Sequence, residues 1–157
     1  NGIPLGAVIL HRELLDKFND HFAFFSTFGG SNVSCVAGMA VLDVVENDKL
    51  VQSAGEVSAY FRQRLLALVP KYKHCGAVRG IGLAVGMEIV RDKESFEPDK
   101  ELCMELLRIL RDEGVLCGSD GPYDSSLKIR PPIAFKKEHA DIAAEAIEKG
   151  LQKIQNL

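Results

Sequence analysis

This sequence of 157 residues has no tryptophan, and no apolar run approaches the roughly 20 residues that a bilayer-spanning helix needs. Cys35, Cys75, Cys103 and Cys117 stand far apart with no Cys-x-x-Cys pair. His11, His21, His74 and His139 are equally scattered, which argues against a zinc site. Each cysteine lies among apolar residues, so the expectation is four reduced, mostly buried thiols in a cytosol-like compartment, cytoplasmic first and mitochondrial second. A strong excess of charge is also missing. The net charge of −3 gives no general attraction to nucleic acid or to an anionic membrane. No repeat or low-complexity tract is found. What remains is a chain 46% hydrophobic and 26% charged, the composition of one ordinary globular domain or of parts of two. Its first residues, Asn1-Gly2-Ile3-Pro4, carry no Met, basic leader or cleavage signal and read as the interior of a longer protein.

Periodicity divides the chain into elements. Ala7 to Leu10 reads as a short buried strand, His11 to Phe18 as one helical piece, and Asn19 to Phe28 as a loop carrying Phe22, Phe24, Phe25 and Phe28. So many aromatic rings in a loop call for a surface to pack on, such as another subunit. Val33 to Val45 is predicted helical, and Asn47-Asp48 offers a break near a candidate domain boundary. Leu50, Ala54, Val57, Phe61, Leu65 and Leu68 then recur at helical spacing and mark a long amphipathic helix ending before Pro70. Ile81, Leu83, Val85, Met87 and Ile89 alternate with Gly82, Ala84, Gly86, Glu88 and Val90 as one strand with a bulky face and a nearly bare one. The bare face suits either tight packing or the close approach of a ligand. A helix opening near Asp99 and stopped by Gly114 follows, then a short strand Val115-Leu116-Cys117 and a loop over Gly118 to Asp124. Ser126 to Arg130 is a second strand, and Lys137 to Gln155 the last helix. From residue 75 onward this order predicts an α/β arrangement in which a small antiparallel sheet carries helices on one face.

Two places carry chemistry. In Phe25-Ser26-Thr27-Phe28-Gly29-Gly30-Ser31-Asn32, hydroxyls and glycines stand directly before a helix. Glycines leave backbone N–H groups bare, and the first helical turn adds unpaired donors and a partial positive charge. Such a mouth suits phosphate or carboxylate, with Ser26, Thr27, Gly29 and Gly30 as candidate ligands. The plainer alternative is that Ser31 or Asn32 only caps the helix while Gly29-Gly30 makes a turn. The second place is Lys128 and Arg130, on one side of a strand and on the order of 7 Å apart. They read either as an anion contact or as the charged guard of an exposed sheet edge.

Four blocks, taken together, resemble the class III aminotransferases, pyridoxal-phosphate enzymes of fold type I. They are Asn1-Gly2-Ile3-Pro4-Leu5-Gly6-Ala7-Val8, Ser26-Thr27-Phe28-Gly29-Gly30, Val78-Arg79-Gly80-Ile81-Gly82-Leu83 with Gly86-Met87-Glu88, and Lys128-Ile129-Arg130-Pro131-Pro132. They keep the family's order along essentially the whole chain. The resemblance implies that residues 1–47 end the large cofactor-binding domain and residues 48–157 form the small C-terminal domain. It places the Schiff-base lysine just upstream of Asn1, so no catalytic residue is assigned here and the fragment is expected to be inactive alone. It also implies a homodimer in which Thr27 binds the cofactor phosphate of the partner subunit, and a small amine or amino acid as substrate. Two departures stand out. Gly30-Ser31-Asn32 replaces the usual Gly-Gly-Asn-Pro, and Lys128 occupies the place where members often carry arginine. Lysine is a point charge without arginine's fork. Together with Gly118-Ser119-Asp120-Gly121-Pro122, this is similar to the ethanolamine-phosphate and phosphohydroxylysine phospho-lyase subgroup. Transamination is the first expectation and phosphate elimination the second. A non-catalytic anion-binding module of the same fold is a third.

Overall fold

The computed structural model describes residues 2–155. The chain divides into two units between Lys49 and Leu50, where Lys49 adopts the left-handed backbone (φ 50°) and interrupts the helical path.

The first unit holds α1 (Arg12–His21) and α2 (Asn32–Asn47). Phe18 and Phe22 stack at 5.3 Å across the end of α1, and the Phe22 N–H closes that helix on the Phe18 carbonyl at 2.8 Å. Neither helix buries a residue. The leading segment does touch α2: a side chain at Gly38 would meet Leu5 at 2.4 Å, so the glycine is what admits Leu5. An apolar groove of about 580 Å³ between Ile3, Leu5, Ala7, Met39, Val41 and Leu42 marks this contact.

The second unit contains α3 (Leu50–Leu66), β1 (Cys75–Ile81), β2 (Ala84–Ile89), α4 (Lys100–Asp112), β3 (Gly118–Asp120), β4 (Ser126–Ile129) and α5 (Lys137–Ile154). Its sheet is antiparallel throughout, in the order β1-β2-β4-β3. Alternation puts Val85, Met87 and Ile89 of β2 and Leu127 and Ile129 of β4 on one face, all buried. Helical spacing brings Phe61 and Leu65 of α3, Cys103, Leu106 and Leu110 of α4, and Ala144, Ile147, Leu151 and Ile154 of α5 into the same core. At Gly150 a Cβ would stand 2.4 Å from Leu106, so glycine there permits the close approach of α5 to α4. Asp99 caps α4 by accepting the Leu102 N–H at 2.9 Å, and Gly114 (φ +84°) ends it. Arg64 and the Tyr60 hydroxyl both donate to Asp141, tying α3 to α5 at the surface.

Four expectations are corrected. Ala7 to Leu10 is not a strand, because no backbone neighbour in its unit offers it a ladder. The long alternating run is not one strand but a hairpin. Gly82 (φ +53°) turns the chain, and Gly80 (φ +150°) lies so close to β2 that a Cβ would fall 2.2 Å from the Ala84 carbonyl oxygen. Ile81 therefore belongs to the tip of β1 and is 91% exposed. Val115-Leu116-Cys117 is not a strand. The Val115 N–H closes α4 on Leu110 at 2.8 Å, and pairing with β4 starts at Gly118, in the supposed loop. Finally, Cys75 and Cys103 are buried and Cys117 partly so, but Cys35 is exposed on α2. The sequence around Cys35 is apolar, yet nothing within its unit covers it.

Candidate functional site

The chemistry-bearing residues fall in two places, one in each unit. In the first, the chain leaves its aromatic loop, bends at Thr27-Phe28 and turns at Gly29-Gly30 into α2. The Ser26 hydroxyl oxygen accepts the Gly29 N–H at 2.9 Å, which closes the bend and leaves the hydroxyl proton to donate elsewhere. A side chain at Gly29 would strike Ser26 Oγ at 2.7 Å, and Gly30 needs the left-handed backbone (φ +72°). Ser31 occupies the N-cap position, but its side chain makes no capping bond; only its carbonyl is used, accepting the Cys35 N–H at 2.9 Å. The capping alternative therefore fails at Ser31. The first turn of α2 keeps N–H donors that no cap has taken, with the exposed Ser26 and Thr27 beside them. No acidic side chain lies in that turn to oppose an anion.

The second place is the face of the sheet that the helices leave open. Lys128 and Arg130 share it, as their alternation with buried Leu127 and Ile129 requires. The edge-guard alternative also fails: β4 lies between β2 and β3, so it is not an edge strand. Both cations turn to Asp120, with Lys128 Nζ 2.9 Å and Arg130 3.9 Å from its carboxylate. Ladder register sets this up. Asp120 pairs with Ser126, which puts Lys128 on the same face one diagonal step away. The bond to Lys128, then the Gly121 N–H, and the charge of Arg130 hold the Asp120 carboxyl below the ordinary carboxylate range. Beside it Arg79 and Glu88 form a second pair at 2.9 Å, and the bare Gly86 lies between the two pairs in the ladder. Ala84, Gly86, Asp120, Ser126, Lys128 and Arg130 line a recess of about 160 Å³.

Asp120 was not found by sequence reasoning, and neither was the Arg79–Glu88 pair. Gly-Ser-Asp is a weak strand former, so β3 was read as loop. The available signal was the turn-forming Gly121-Pro122, after which the chain returns as β4 alongside Gly118–Asp120.

Residues 1–151 match the family described as aminotransferase class-III. The chain belongs to that family. Among its relatives, alanine–glyoxylate aminotransferase 2 homolog 2 from Arabidopsis thaliana, named as mitochondrial, is 36% identical over 98% of this chain and 32% of its own length. A phospholyase from Arthrobacter, solved in complex with phosphoethanolamine, is 40% identical with a TM-score of 0.86 over 90% of this chain and 33% of that one. An amine transaminase from an uncultivated Pseudomonas species, solved in its PLP-bound form, is 28% identical with a TM-score of 0.78, covering 87% and 31%. The chain thus spans about a third of the length of the class III relatives it matches. No helix among the described residues is long and apolar enough to cross a membrane.

Proposed function

We propose that this chain is the C-terminal portion of a pyridoxal-phosphate-dependent class III aminotransferase acting on a small amine or amino acid. On this reading the first unit ends the large cofactor domain and the second is the small domain. The Schiff-base lysine belongs to the part of the enzyme outside these residues, and the chain alone is inactive. The observation that carries the reading is the uncapped mouth of α2. Ser26, Thr27 and the N–H groups around Gly29 and Gly30 fit a phosphate, since the turn admits no side chain at 29 and the helix supplies donors without an internal partner. These residues would grip the cofactor phosphate of the partner subunit of a homodimer. The bound cofactor supplies an electron-withdrawing ring that stabilises negative charge on the carbon beside the amine. The exposed Phe24, Phe25 and Phe28 support a second subunit as the cover for this loop.

Lys128 and Arg130 are the residues proposed to orient an anionic group of the substrate, Lys128 from within the central strand β4 and Arg130 from the residue just after it. A second reading, elimination of phosphate from a phosphorylated amine, is favoured by Lys128 in the common arginine position and by the 40% identity to the Arthrobacter phospholyase. Incubating the full-length protein with phosphoethanolamine, and assaying free phosphate beside keto-acid-dependent amino transfer, separates the two. Amino transfer without phosphate release supports the first reading, and the converse supports the second. In the same protein Thr27→Ala should weaken cofactor retention about tenfold, the worth of one charge-assisted hydrogen bond. Unchanged cofactor affinity on dialysis would remove the phosphate role from this loop.

A further inference from the structure

Asp120 lies on the open sheet face against both cations of the proposed substrate site, yet has no part in that role. Its single carboxylate serves two cations, closely at Lys128 (2.9 Å) and loosely at Arg130 (3.9 Å). Arg79 and Glu88 satisfy one another on the neighbouring strands. Among the described residues the face therefore sets three cations, Arg79, Lys128 and Arg130, against two carboxylates, Glu88 and Asp120, an excess of one positive charge. The recess beside these groups has a glycine floor at Gly86 and Ser126 in its lining, so a small anion can approach closely and meet a hydroxyl donor.

We infer that Asp120 is a tethered counter-ion that sets the charge of the substrate group this site accepts. This rests on the substrate-anion role proposed for Lys128 and Arg130. An anion held by Lys128 alone must displace the Asp120 carboxylate from it, whereas one that also takes the loosely held Arg130 need not. A substrate carboxylate exchanges one single charge for another and competes against a group that is already held in place. A phosphate monoester brings close to two charges and three strong acceptor oxygens. It can take Arg130, which Asp120 approaches only to 3.9 Å, and accept a second N–H of Lys128 while Asp120 keeps its own. Asp120 thus biases the site toward doubly charged groups by competition, without touching the substrate.

The test uses the full-length enzyme and two substrates of matched length, an amine bearing a phosphate and an amine bearing a carboxylate. Asp120→Asn should lower KM for the carboxylate substrate about fivefold, the upper end for a solvent-exposed ion pair, and move KM for the phosphorylated one by about twofold or less. Asp120→Glu, which restores the charge, should return the KM ratio to its original value. An unchanged ratio in Asp120→Asn, while Lys128→Met raises KM for both substrates, overturns the counter-ion role and leaves the cation pair's role standing. Lys128→Met with no effect on either KM overturns both. If Asp120→Asn impairs both substrates alike and Asp120→Glu rescues neither, Asp120 is only structural and the inference falls.

Discussion

The two units differ in where their apolar side chains end. In the second, Phe61, Leu65, Leu106, Leu110, Leu127 and Ile147 are sealed between a sheet face and three helices. In the first, no residue from 2 to 49 is buried, although α2 carries Val33, Val36, Met39, Leu42 and Val44 and the loop before it four phenylalanines. A helix apolar around most of its circumference is suited to burial on several sides at once. The second unit satisfies its hydrophobic pattern internally. The first presents the pattern of a buried element without its cover, which agrees with its proposed place at the end of a larger domain and beside a second subunit.

Substitutions in matched pairs would break or sharpen that contrast. The largest effect is expected at the rings. Phe61→Ala, in the core, should cost about 3 to 5 kcal/mol in denaturant unfolding, whereas Phe25→Ser, at a site 86% exposed, should stay within about 0.5 kcal/mol. Comparable losses at both would mean that the first unit has a core of its own. Glycines come next. Gly80→Ala forces a Cβ onto the Ala84 carbonyl and should cost about 2 to 3 kcal/mol, while Gly30→Ala meets no atom and bears only its left-handed strain, about 1 kcal/mol. Both are read from the unfolding midpoint.

The smallest effect is electrostatic. Lys71 (3.0 Å) and the Tyr72 hydroxyl (3.1 Å) both donate to the Glu148 carboxylate, which holds it below its usual range despite partial burial. A depressed folded pKa contributes stability that is fully present above the unfolded value, about 4.3, and is lost as pH falls through the folded one. Glu148→Gln should therefore flatten the acid limb of the stability profile below about pH 4. At the exposed Arg12–Asp16 pair of α1, Asp16→Asn should barely move the unfolding midpoint at neutral pH.

Much of this was legible in the sequence. The 3.6-residue stripes of α3, α4 and α5 place the core correctly, because each stripe finds a partner within the same unit. Lys128 and Arg130 were paired on one face by the two-residue repeat alone. Sequence failed where the deciding contact was distant. Alternation across Gly82 continued through a reversal, since a turn that keeps the period of two in phase leaves no mark in the pattern. The partner of Lys128 lay in Gly118-Ser119-Asp120, whose strand character comes from β4 and not from its own residues. At the mouth of α2 the local sequence favoured the capping reading over the anion reading until the family resemblance was weighed; the Ser31 side chain makes no capping bond.

The uneven sealing of the cysteines has a practical consequence. Burial pushes the Cys75 thiol up to about 11 and Cys103 to about 12, so neither forms a nucleophilic thiolate at neutral pH. Cys35 stands alone on the bare helix. A maleimide added to the native protein should modify that position first, and the rate of its capture then gauges how fully α2 is shielded in any assembly that includes it.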